Sequence, residues 1–350
     1  MDASRIPLGL RFNIQQLTIR GGQRRDLFRR VIEFGCVYLG PALRVAVIGL
    51  AMSGFDGRLW PAETTLVHRA SAPRSMTQVI PPGMRLEALP LVAPEPKNNS
   101  ATAAKLALGR LLFFDPILSS TKDVSCAMCH HPRFGWADGR ATPIGVGGDG
   151  VGPGRTFRGP STLPSLARNV PTILNVGFNG LVAGAAPDPV AAPMFWDSRV
   201  RSLEQQVFTP LASPGEMLGD GCTENEAVAQ AVLRVRAIGE YRERFQPVFG
   251  QTAGEAVTPE HLAQAIAAFE RSLVTPRSAF DRFLQGDPSA LNAGQQQGLR
   301  IFQDAGCIQC HGGPMFSDFK LHFIGVSDST PAGRREFRTP TLRNLRHTAP

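Results

Sequence analysis

The sequence predicts a mainly α-helical protein with two domains. Apolar residues recur at helical spacing in several segments, and convincing alternating strand patterns are scarce. A Cys-x-x-Cys-His pentapeptide occurs twice, at Cys126–His130 and at Cys307–His311. A related phrase precedes each copy, Gly109-Arg-Leu-Leu-Phe113 and Gly298-Leu-Arg-Ile-Phe302, so we expect one helix leading into each pentapeptide.

The 350 residues leave room for two or more domains, and we predict four segments. Residues 1–53 are expected to form a signal or targeting segment. Residues 54–100 are rich in proline and are expected to form a leader or linker. An N-terminal domain is expected over residues 101–220 and a C-terminal domain over residues 221–350, each with one pentapeptide.

Local patterns predict where individual helices begin. A helical pattern starts at Ala101 and continues to Leu112, just before the first pentapeptide. Thr223-Glu-Asn-Glu226 is a capping box at the start of a second pattern, and Thr258-Pro259 marks the start of a third. Residues 139–159 are rich in glycine and almost without periodicity, which predicts a long loop over a site.

The pentapeptide is the attachment signature of c-type haem. Thiols three positions apart reach two vinyl groups on one porphyrin edge, and the histidine that follows supplies an axial ligand to the iron. A zinc ribbon also uses two Cys-x-x-Cys pairs, but roughly 15–20 residues apart, and a thioredoxin-like site needs only one pair. We therefore predict two covalently bound haem c groups, held by Cys126, Cys129 and His130 and by Cys307, Cys310 and His311.

Charge and haem chemistry together predict an exported protein. The net charge of +8 is concentrated in residues 1–53, which hold eight arginines against three acidic residues, so no nucleic-acid partner is expected. The arginines precede the apolar stretch Val45–Met52, and Ala51-Met-Ser53 fits a small-x-small cleavage site. An uncleaved membrane anchor and a start codon placed too early are the alternatives. Haem c is attached outside the cytoplasm, so we expect the protein in the periplasm.

Four phrases resemble one known family. They are Leu111-Leu-Phe-Phe-Asp-Pro116, Arg168-Asn-Val-Pro-Thr-Ile-Leu-Asn175, Phe195-Trp-Asp-Ser-Arg199 and Phe337-Arg-Thr-Pro-Thr-Leu-Arg-Asn344. From about Ala101 to its end the chain resembles the bacterial dihaem cytochrome c peroxidases, which include the MauG-type enzymes. The resemblance implies two cytochrome domains packed around an inter-haem interface. It also implies that the N-terminal haem reacts with peroxide and the C-terminal haem feeds or stores electrons.

The resemblance also implies catalytic residues. Trp196 matches the family tryptophan that relays electrons between the haems, although a tryptophan is more commonly a core aromatic. Gln206, Pro210 and Glu216 keep the family's intervals of four and six residues. Glu216 would move a proton between the two peroxide oxygens, and Gln206 would orient the peroxide. By chemistry alone Glu216 would be an ordinary solvated carboxylate.

The chain departs from the reductively activated peroxidases at the distal position of the first haem. In many of them a histidine sixteen residues after the haem histidine blocks that iron, and the matching residue here is Val146. No histidine lies between His131 and His261. We therefore expect an open first haem without a reductive gate, as in the MauG-type members.

Two further expectations concern the end of the chain. The family's sixth ligand to the C-terminal haem lies beyond the position of Pro350, so the C-terminal domain is expected to be incomplete. Family members also bind calcium between the haems. The matching ligands are the Asn169 side chain and the carbonyls of Thr348 and Pro350, oxygen donors of the type that Ca²⁺ prefers.

The resemblance implies an enzyme that reduces hydrogen peroxide to water with electrons from a small cytochrome c or cupredoxin. A MauG-like alternative directs the oxidising power at a protein or small organic substrate. A third hypothesis, a dihaem electron carrier without catalysis, needs two six-coordinate irons, and the missing ligand near the first haem argues against it. The oligomeric state stays open, with a homodimer among the expected arrangements, and membrane contact is expected only through the N-terminal segment.

Overall fold

The computed structural model describes residues 85–348, except residues 161, 251, 253–254, 328–332 and 334–335. The predicted signal segment, the predicted linker up to residue 84 and the predicted calcium ligand Pro350 lie outside the described residues. Within the part that is described, no helix combines the length and the apolar character needed to cross a bilayer.

Helices dominate the described residues, which confirms the predicted mainly α-helical class. The α-helices in this part of the chain are α1 (Ala103–Phe114), α2 (Cys126–Cys129), α3 (Leu203–Gln206), α4 (Phe208–Leu211), α5 (Glu224–Ala237), α6 (Gly239–Phe249), α7 (Pro259–Arg271), α8 (Ala279–Leu284) and α9 (Ala293–Asp304). Short 3₁₀ turns connect several of them, and Pro214–Leu218 forms a single π-helical turn.

Strands are few and short among the described residues. They form three antiparallel ribbons: β1 (Gly148–Asp149) with β2 (Thr156–Phe157), β3 (Pro193–Met194) with β4 (Val200–Arg201), and β5 (Leu321–Phe323) with β6 (Glu336–Arg338). The β1–β2 ribbon, in which Gly148 pairs with Phe157, lies inside the predicted long loop. Two-residue strands are too short to produce an alternating pattern, so the sequence could not reveal them.

Two helices begin where their capping residues predict. Thr223 caps α5, and its backbone N–H donates to the Glu226 carboxylate at 3.1 Å in a capping box. Thr258 caps α7 by accepting a hydrogen bond from the His261 N–H at 3.1 Å, and Pro259 occupies the first helical position. Local sequence therefore sets these two starts without help from the rest of the fold.

Helices α1 and α7 form the main helix pair. α1 buries Leu112 and Phe113, and the Phe113 ring lies 5.2 Å from the Phe269 ring of α7 and 6.0 Å from the Trp136 ring. Aromatic contacts at these separations add to the stabilisation from burial alone. The helix that leads into the first pentapeptide is thereby fixed against α7.

The largest core cluster draws on both sides of residue 220. It contains Leu112 and Ala127 from the N-terminal side together with Val232, Phe245 and Ile266 from α5, α6 and α7. These three helices therefore pack with the first pentapeptide, and the domain boundary at 220 stays a prediction. A smaller cluster contains Leu89, Ala93, Phe178, Leu181 and the fully buried Met315.

Candidate active site

The first pentapeptide forms one helical turn, α2, closed by the histidine that follows. The His130 N–H donates to the Cys126 carbonyl at 2.9 Å, and His130 Nδ1 lies 3.2 Å from the Trp136 carbonyl oxygen. That contact assigns the Nδ1 proton to the Trp136 carbonyl. Burial lowers the pKa of His130 to about 4, so the ring is neutral near pH 7, the form that binds a metal.

The loop that holds His130 is itself supported from two directions. Gly135 has a φ of 65°, and a Cβ there would overlap the carbonyl and side chain of His347. The Gly135 carbonyl accepts a hydrogen bond from the Thr172 hydroxyl at 2.6 Å. The backbone at Gly135, just before Trp136, is therefore held by Thr172 on one side and lies against His347 on the other.

The predicted catalytic residues share one cavity of about 670 Å³ with part of the first pentapeptide. Cys129 and His130 line it together with Trp196, Gln206, Pro210 and Glu216. Its volume lies within the range of cofactor pockets, roughly 300–1,000 Å³. A neighbouring cavity of about 60 Å³ is lined by Cys126 and again by His130, Gln206 and Glu216. Residues far apart in the sequence therefore meet around the first pentapeptide.

Glu216 is carried on the π-helical turn and faces the cavity. Burial raises the pKa of this carboxyl, while the Arg199 charge and a hydrogen bond with Ser213 partly oppose the rise. The Glu216 N–H donates to the Ser213 carbonyl at 3.0 Å, which fixes the backbone below the side chain. A carboxyl whose pKa is raised keeps its proton to higher pH than an ordinary glutamate, which suits a proton-transfer group.

Gln206 and Pro210 reach the cavity from the short helices α3 and α4. Ser202 caps α3 by accepting a hydrogen bond from the Gln205 N–H at 3.3 Å. Gln206 ends α3, so its amide side chain reaches the cavity wall that Glu216 also forms.

Trp196 is half-buried and is held at both ends. Its indole N–H donates to the Asn169 carbonyl at 2.8 Å, and its own carbonyl accepts from the Arg338 N–H at 2.7 Å. Phe195 and Ser198 beside it have φ values of 64° and 53°, a region that such residues rarely adopt. Strained backbone of this kind is concentrated at functional sites.

Arginines in the cavity wall were not singled out from the sequence, although they stand in the phrases that carry the resemblance. Arg168 and Arg199 both pair with Asp197, at 2.8 and 2.9 Å. Burial lowers the pKa of Arg338 to about 10, and its Nε donates to the Phe195 carbonyl at 3.0 Å. Cations at a largely apolar wall fit the carboxylates of a haem, and the thiol pair and neutral His130 fit its attachment.

Sequence reasoning also missed Glu270 of α7, which lines both cavities. It is only 5% exposed, and burial raises its pKa to about 8. Its Oε2 is among the buried polar atoms of the described residues without a hydrogen-bond partner. A glutamate in an otherwise regular amphipathic helix gives no sequence signal of this placement.

The second pentapeptide has different surroundings. His311 Nδ1 lies 2.9 Å from the Phe316 carbonyl oxygen, which repeats the arrangement of His130. Cys307 is exposed, and none of the second pentapeptide's residues lines the cavity of about 670 Å³. Ligand atoms of Cys310, Asp318 and His322 lie within 4.8 Å of one another, with His322 Nε2 2.8 Å from an Asp318 carboxylate oxygen.

Val146, the residue at the expected gate position, is buried in the main core. Its N–H donates to the Glu216 carbonyl at 3.1 Å. Among the residues that line the two cavities, His130 is the only histidine.

Asn169 and Thr348, two of the three predicted calcium ligands, line the same cavity. The Asn169 amide nitrogen donates to the Arg140 carbonyl at 2.6 Å, so Oδ1 is the end of the amide that can bind a cation. The third predicted ligand lies outside the described residues, and the calcium site stays a prediction.

Comparison with known proteins decides the family. A family model for di-haem cytochrome c peroxidases matches residues 103–289. The chain is 34% identical over 274 residues to the methylamine utilization protein MauG of Methylorubrum extorquens, covering 75% of this chain and 67% of that protein. The chain belongs to the di-haem cytochrome c peroxidase family. The family resemblance and the enzyme class predicted from the sequence, a peroxidase-type oxidoreductase, are thereby confirmed.

A second relative and a solved structure support the same family assignment. The cytochrome c551 peroxidase of Nitrosomonas europaea is 34% identical over 276 residues, covering 75% of this chain and 70% of that protein. The crystal structure of a MauG-like protein associated with microbial copper homeostasis superposes with a TM-score of 0.59 at 27% identity, covering 79% of this chain and 77% of that chain. Membership of a di-haem family implies two c-type haems, in agreement with the two pentapeptides.

Proposed function

We propose that this peroxidase reduces hydrogen peroxide to water at the first pentapeptide and receives electrons through the second. One observation carries the proposal: the carboxyl of Glu216 and the amide of Gln206 line the same cavity as His130 and Cys129. A proton-transfer group and a hydrogen-bonding group therefore face the position where the first haem would be attached.

The reaction adds two electrons and two protons to hydrogen peroxide and releases two molecules of water. A haem held by Cys126, Cys129 and His130 would supply the redox chemistry for cleavage of the O–O bond. Glu216 accepts the proton of one peroxide oxygen and returns it to the other, so that water is the leaving group. Gln206 orients the peroxide by hydrogen bonding, and Pro210 shapes the wall beside it.

Trp196 and the second pentapeptide supply electrons in this proposal. Trp196 is rigidly held in the cavity wall, which supports a role as a relay because a fixed aromatic ring keeps its distance to its partners. Cys307, Cys310 and His311 would hold the second haem, and a small cytochrome c or cupredoxin would be the donor.

The remaining features of the proposal follow the family. They are two cytochrome domains over residues 101–220 and 221–350, a calcium ion held by Asn169, Thr348 and Pro350, and export to the periplasm. The shared cavity position of Asn169 and Thr348 supports the calcium ion. The two haem-attachment motifs support export.

A MauG-like reaction on a protein or organic substrate is the second candidate. The observation that favours it is Val146, a buried apolar residue at the position where reductively gated enzymes carry a histidine ligand. We propose that the first site is accessible without prior reduction of the second. The same first step with peroxide serves both candidates.

The test is the reaction of the haem-loaded protein with hydrogen peroxide, followed by stopped-flow absorption. We expect rapid reaction of the fully oxidised protein and a Glu216→Gln rate about 10²–10⁴-fold lower, because the amide cannot carry the proton. Glu243→Gln, an exposed change on α6, is the matched control and should keep the wild-type rate.

The outcomes separate the candidates. Inertness to peroxide of both the fully oxidised and the half-reduced protein would leave only an electron carrier. An unchanged rate in Glu216→Gln would remove that carboxyl from the mechanism. Turnover with reduced cytochrome c supports the peroxidase. Peroxide-dependent oxidation of an added protein or organic substrate, without such turnover, supports the MauG-like reaction.

A further inference from the structure

Arg155 is a buried cation in the glycine-rich loop of residues 139–159. It is 4% exposed, and each of its three guanidinium nitrogens donates to a carbonyl of the same loop. Nε donates to Ile144, Nη1 to Gly150 and Nη2 to Gly145, each at 2.7 Å. One planar side chain therefore holds three separate points of a loop that has almost no regular structure of its own.

The loop segment that Arg155 holds is the segment that contacts Glu216. Val146, which follows Gly145, donates its N–H to the Glu216 carbonyl at 3.1 Å. Gly145 lies so close that a Cβ there would overlap the carbonyls of Gly215 and Glu216. The π-helical turn is thus in direct backbone contact with Gly145, whose carbonyl Arg155 binds, and with Val146 next to it.

Arg155 also reaches the first pentapeptide. Its Nη1 lies 3.9 Å from the sulfur of Met128, the residue between Ala127 and Cys129. The acidic residue on the adjoining ribbon, Asp149, pairs instead with the exposed Arg158 at 3.1 Å. The hydrogen bonds of Arg155 therefore position the loop between the pentapeptide and Glu216.

We propose that Arg155 is a positioning residue that holds Gly145 and Val146 against the backbone of Glu216 and so fixes the Glu216 carboxyl at the cavity wall. The inference rests on the proposed role of Glu216. It goes further because it gives the glycine-rich loop a role of its own. The loop stands where gated relatives carry a histidine ligand, and here it serves as a fixed support for the acid–base group.

The first test replaces Arg155 by Gln and by Lys in the haem-loaded protein. Amide hydrogen exchange should accelerate in peptides covering residues 143–150, because the Val146 N–H is no longer held against the Glu216 carbonyl. The rate constant for peroxide should fall by about 10–100-fold, since a displacement near 1 Å has effects of this size. The acidic limb of the pH–rate profile should move to lower pH as water reaches Glu216. Lys should restore only part of the rate, because a single ammonium nitrogen cannot span the three carbonyls that the guanidinium binds through three separate nitrogens.

A second pair of variants keeps the Arg155 charge. One member disturbs the contacts of the guanidinium, and the other is its control. A Cβ at Gly148 would overlap the Arg155 guanidinium, whereas a Cβ at Gly154 meets no atom within 4 Å. Gly148→Ala should therefore reproduce the exchange and rate effects of Arg155→Gln, and Gly154→Ala should not. Arg158→Gln, which removes an exposed positive charge from the same loop, serves as the charge control.

Unchanged exchange of residues 143–150 in both Arg155→Gln and Gly148→Ala would overturn the inference, as would an unchanged peroxide rate and pH profile. If Glu216→Gln has no effect while Arg155→Gln still loosens the loop, the acid–base proposal fails and the support of the loop stands. If Arg155→Gln does not fold, the Gly148→Ala and Gly154→Ala comparison decides the question.

Discussion

The two pentapeptides share a sequence pattern and a histidine arrangement but differ in their surroundings. Each histidine presents Nδ1 to a backbone carbonyl, at 3.2 Å for His130 and 2.9 Å for His311. Around His130 lie the main core and a large cavity, whereas Cys307 is exposed. In the proposed function, the motif serves haem attachment at both positions, and the surroundings distinguish the reactive site from the electron-transfer site.

Two glutamates near the first pentapeptide and one aspartate near the second have pKa values shifted in opposite directions. Near the first pentapeptide, burial raises the pKa of Glu216 and of Glu270. Near the second, burial also acts to raise the pKa of Asp318, but hydrogen bonds from Thr339 and His322 outweigh it and hold the pKa below its usual range. Glu216 and Glu270 therefore keep a proton to higher pH than an ordinary glutamate, whereas Asp318 releases its proton at lower pH than an ordinary aspartate.

The largest expected difference between the two sites follows from replacing each pentapeptide histidine by alanine. In His130→Ala we expect loss of the peroxide-induced absorption change, because the reacting site loses its ligand. In His311→Ala that change should persist while steady-state turnover with a reduced donor falls to background. Stopped-flow absorption measures both, and covalent haem content checks that the cysteines still react. Persistence of the peroxide reaction in His130→Ala would reverse the assignment of the two sites.

The second prediction compares the packing of the two helices that precede the pentapeptides. Phe113 of α1 is fully buried, so Phe113→Ala should lower the free energy of unfolding by about 3–5 kcal/mol. Phe302 of α9 is half-buried, 6.1 Å from the Phe316 ring, and Phe302→Ala should lower it by only about 1–2 kcal/mol. Urea unfolding of the haem-loaded proteins provides the values, and equal losses would mean that both motifs are equally embedded.

The third prediction uses the pH dependence of stability at the first site. Between the ordinary value of 4.5 and about 8, folded Glu270 keeps a proton that the unfolded chain releases, so stability falls as pH rises through this window. Glu270→Gln cannot titrate and should be about 1–3 kcal/mol more stable than wild type above pH 8. Urea midpoints at pH 5 and pH 8.5 test this, with Glu260→Gln, exposed on the same helix, as the control. A constant difference across pH would contradict the prediction.

The smallest expected change in stability is a loss, in contrast to the gain expected for Glu270→Gln, and it concerns the second site. Asp318 accepts hydrogen bonds from the Thr339 hydroxyl at 2.7 Å and the Lys320 N–H at 3.0 Å. Asp318→Asn should cost about 1 kcal/mol of stability at pH 7. The difference from wild type should shrink as pH falls through the depressed pKa, because the protonated carboxyl loses the same advantage. The peroxide rate should not change, and a fall in that rate would tie Asp318 to the first site.

Local chemistry explains what could be predicted from the sequence. Thr223 and Thr258 cap helices through residues three positions away, and each pentapeptide carries its thiols and histidine within five residues. Glu216 and Gln206 were found only through family intervals, since no local pattern marks a carboxyl that faces a cavity. Arg155 and Glu270 depend on contacts with residues distant in the sequence or on burial by other helices, and neither leaves a periodic signal.

The contact between Gly135 and His347 joins distant parts of this peroxidase. Gly135 precedes Trp136, whose carbonyl orients the His130 ring. A side chain at position 135 would push apart the loop that aims the imidazole and the turn that ends the described chain. The orientation of the His130 ring therefore depends on the assembled molecule. An isolated N-terminal fragment with a complete Cys-x-x-Cys-His motif would lack the His347 contact that supports this orientation.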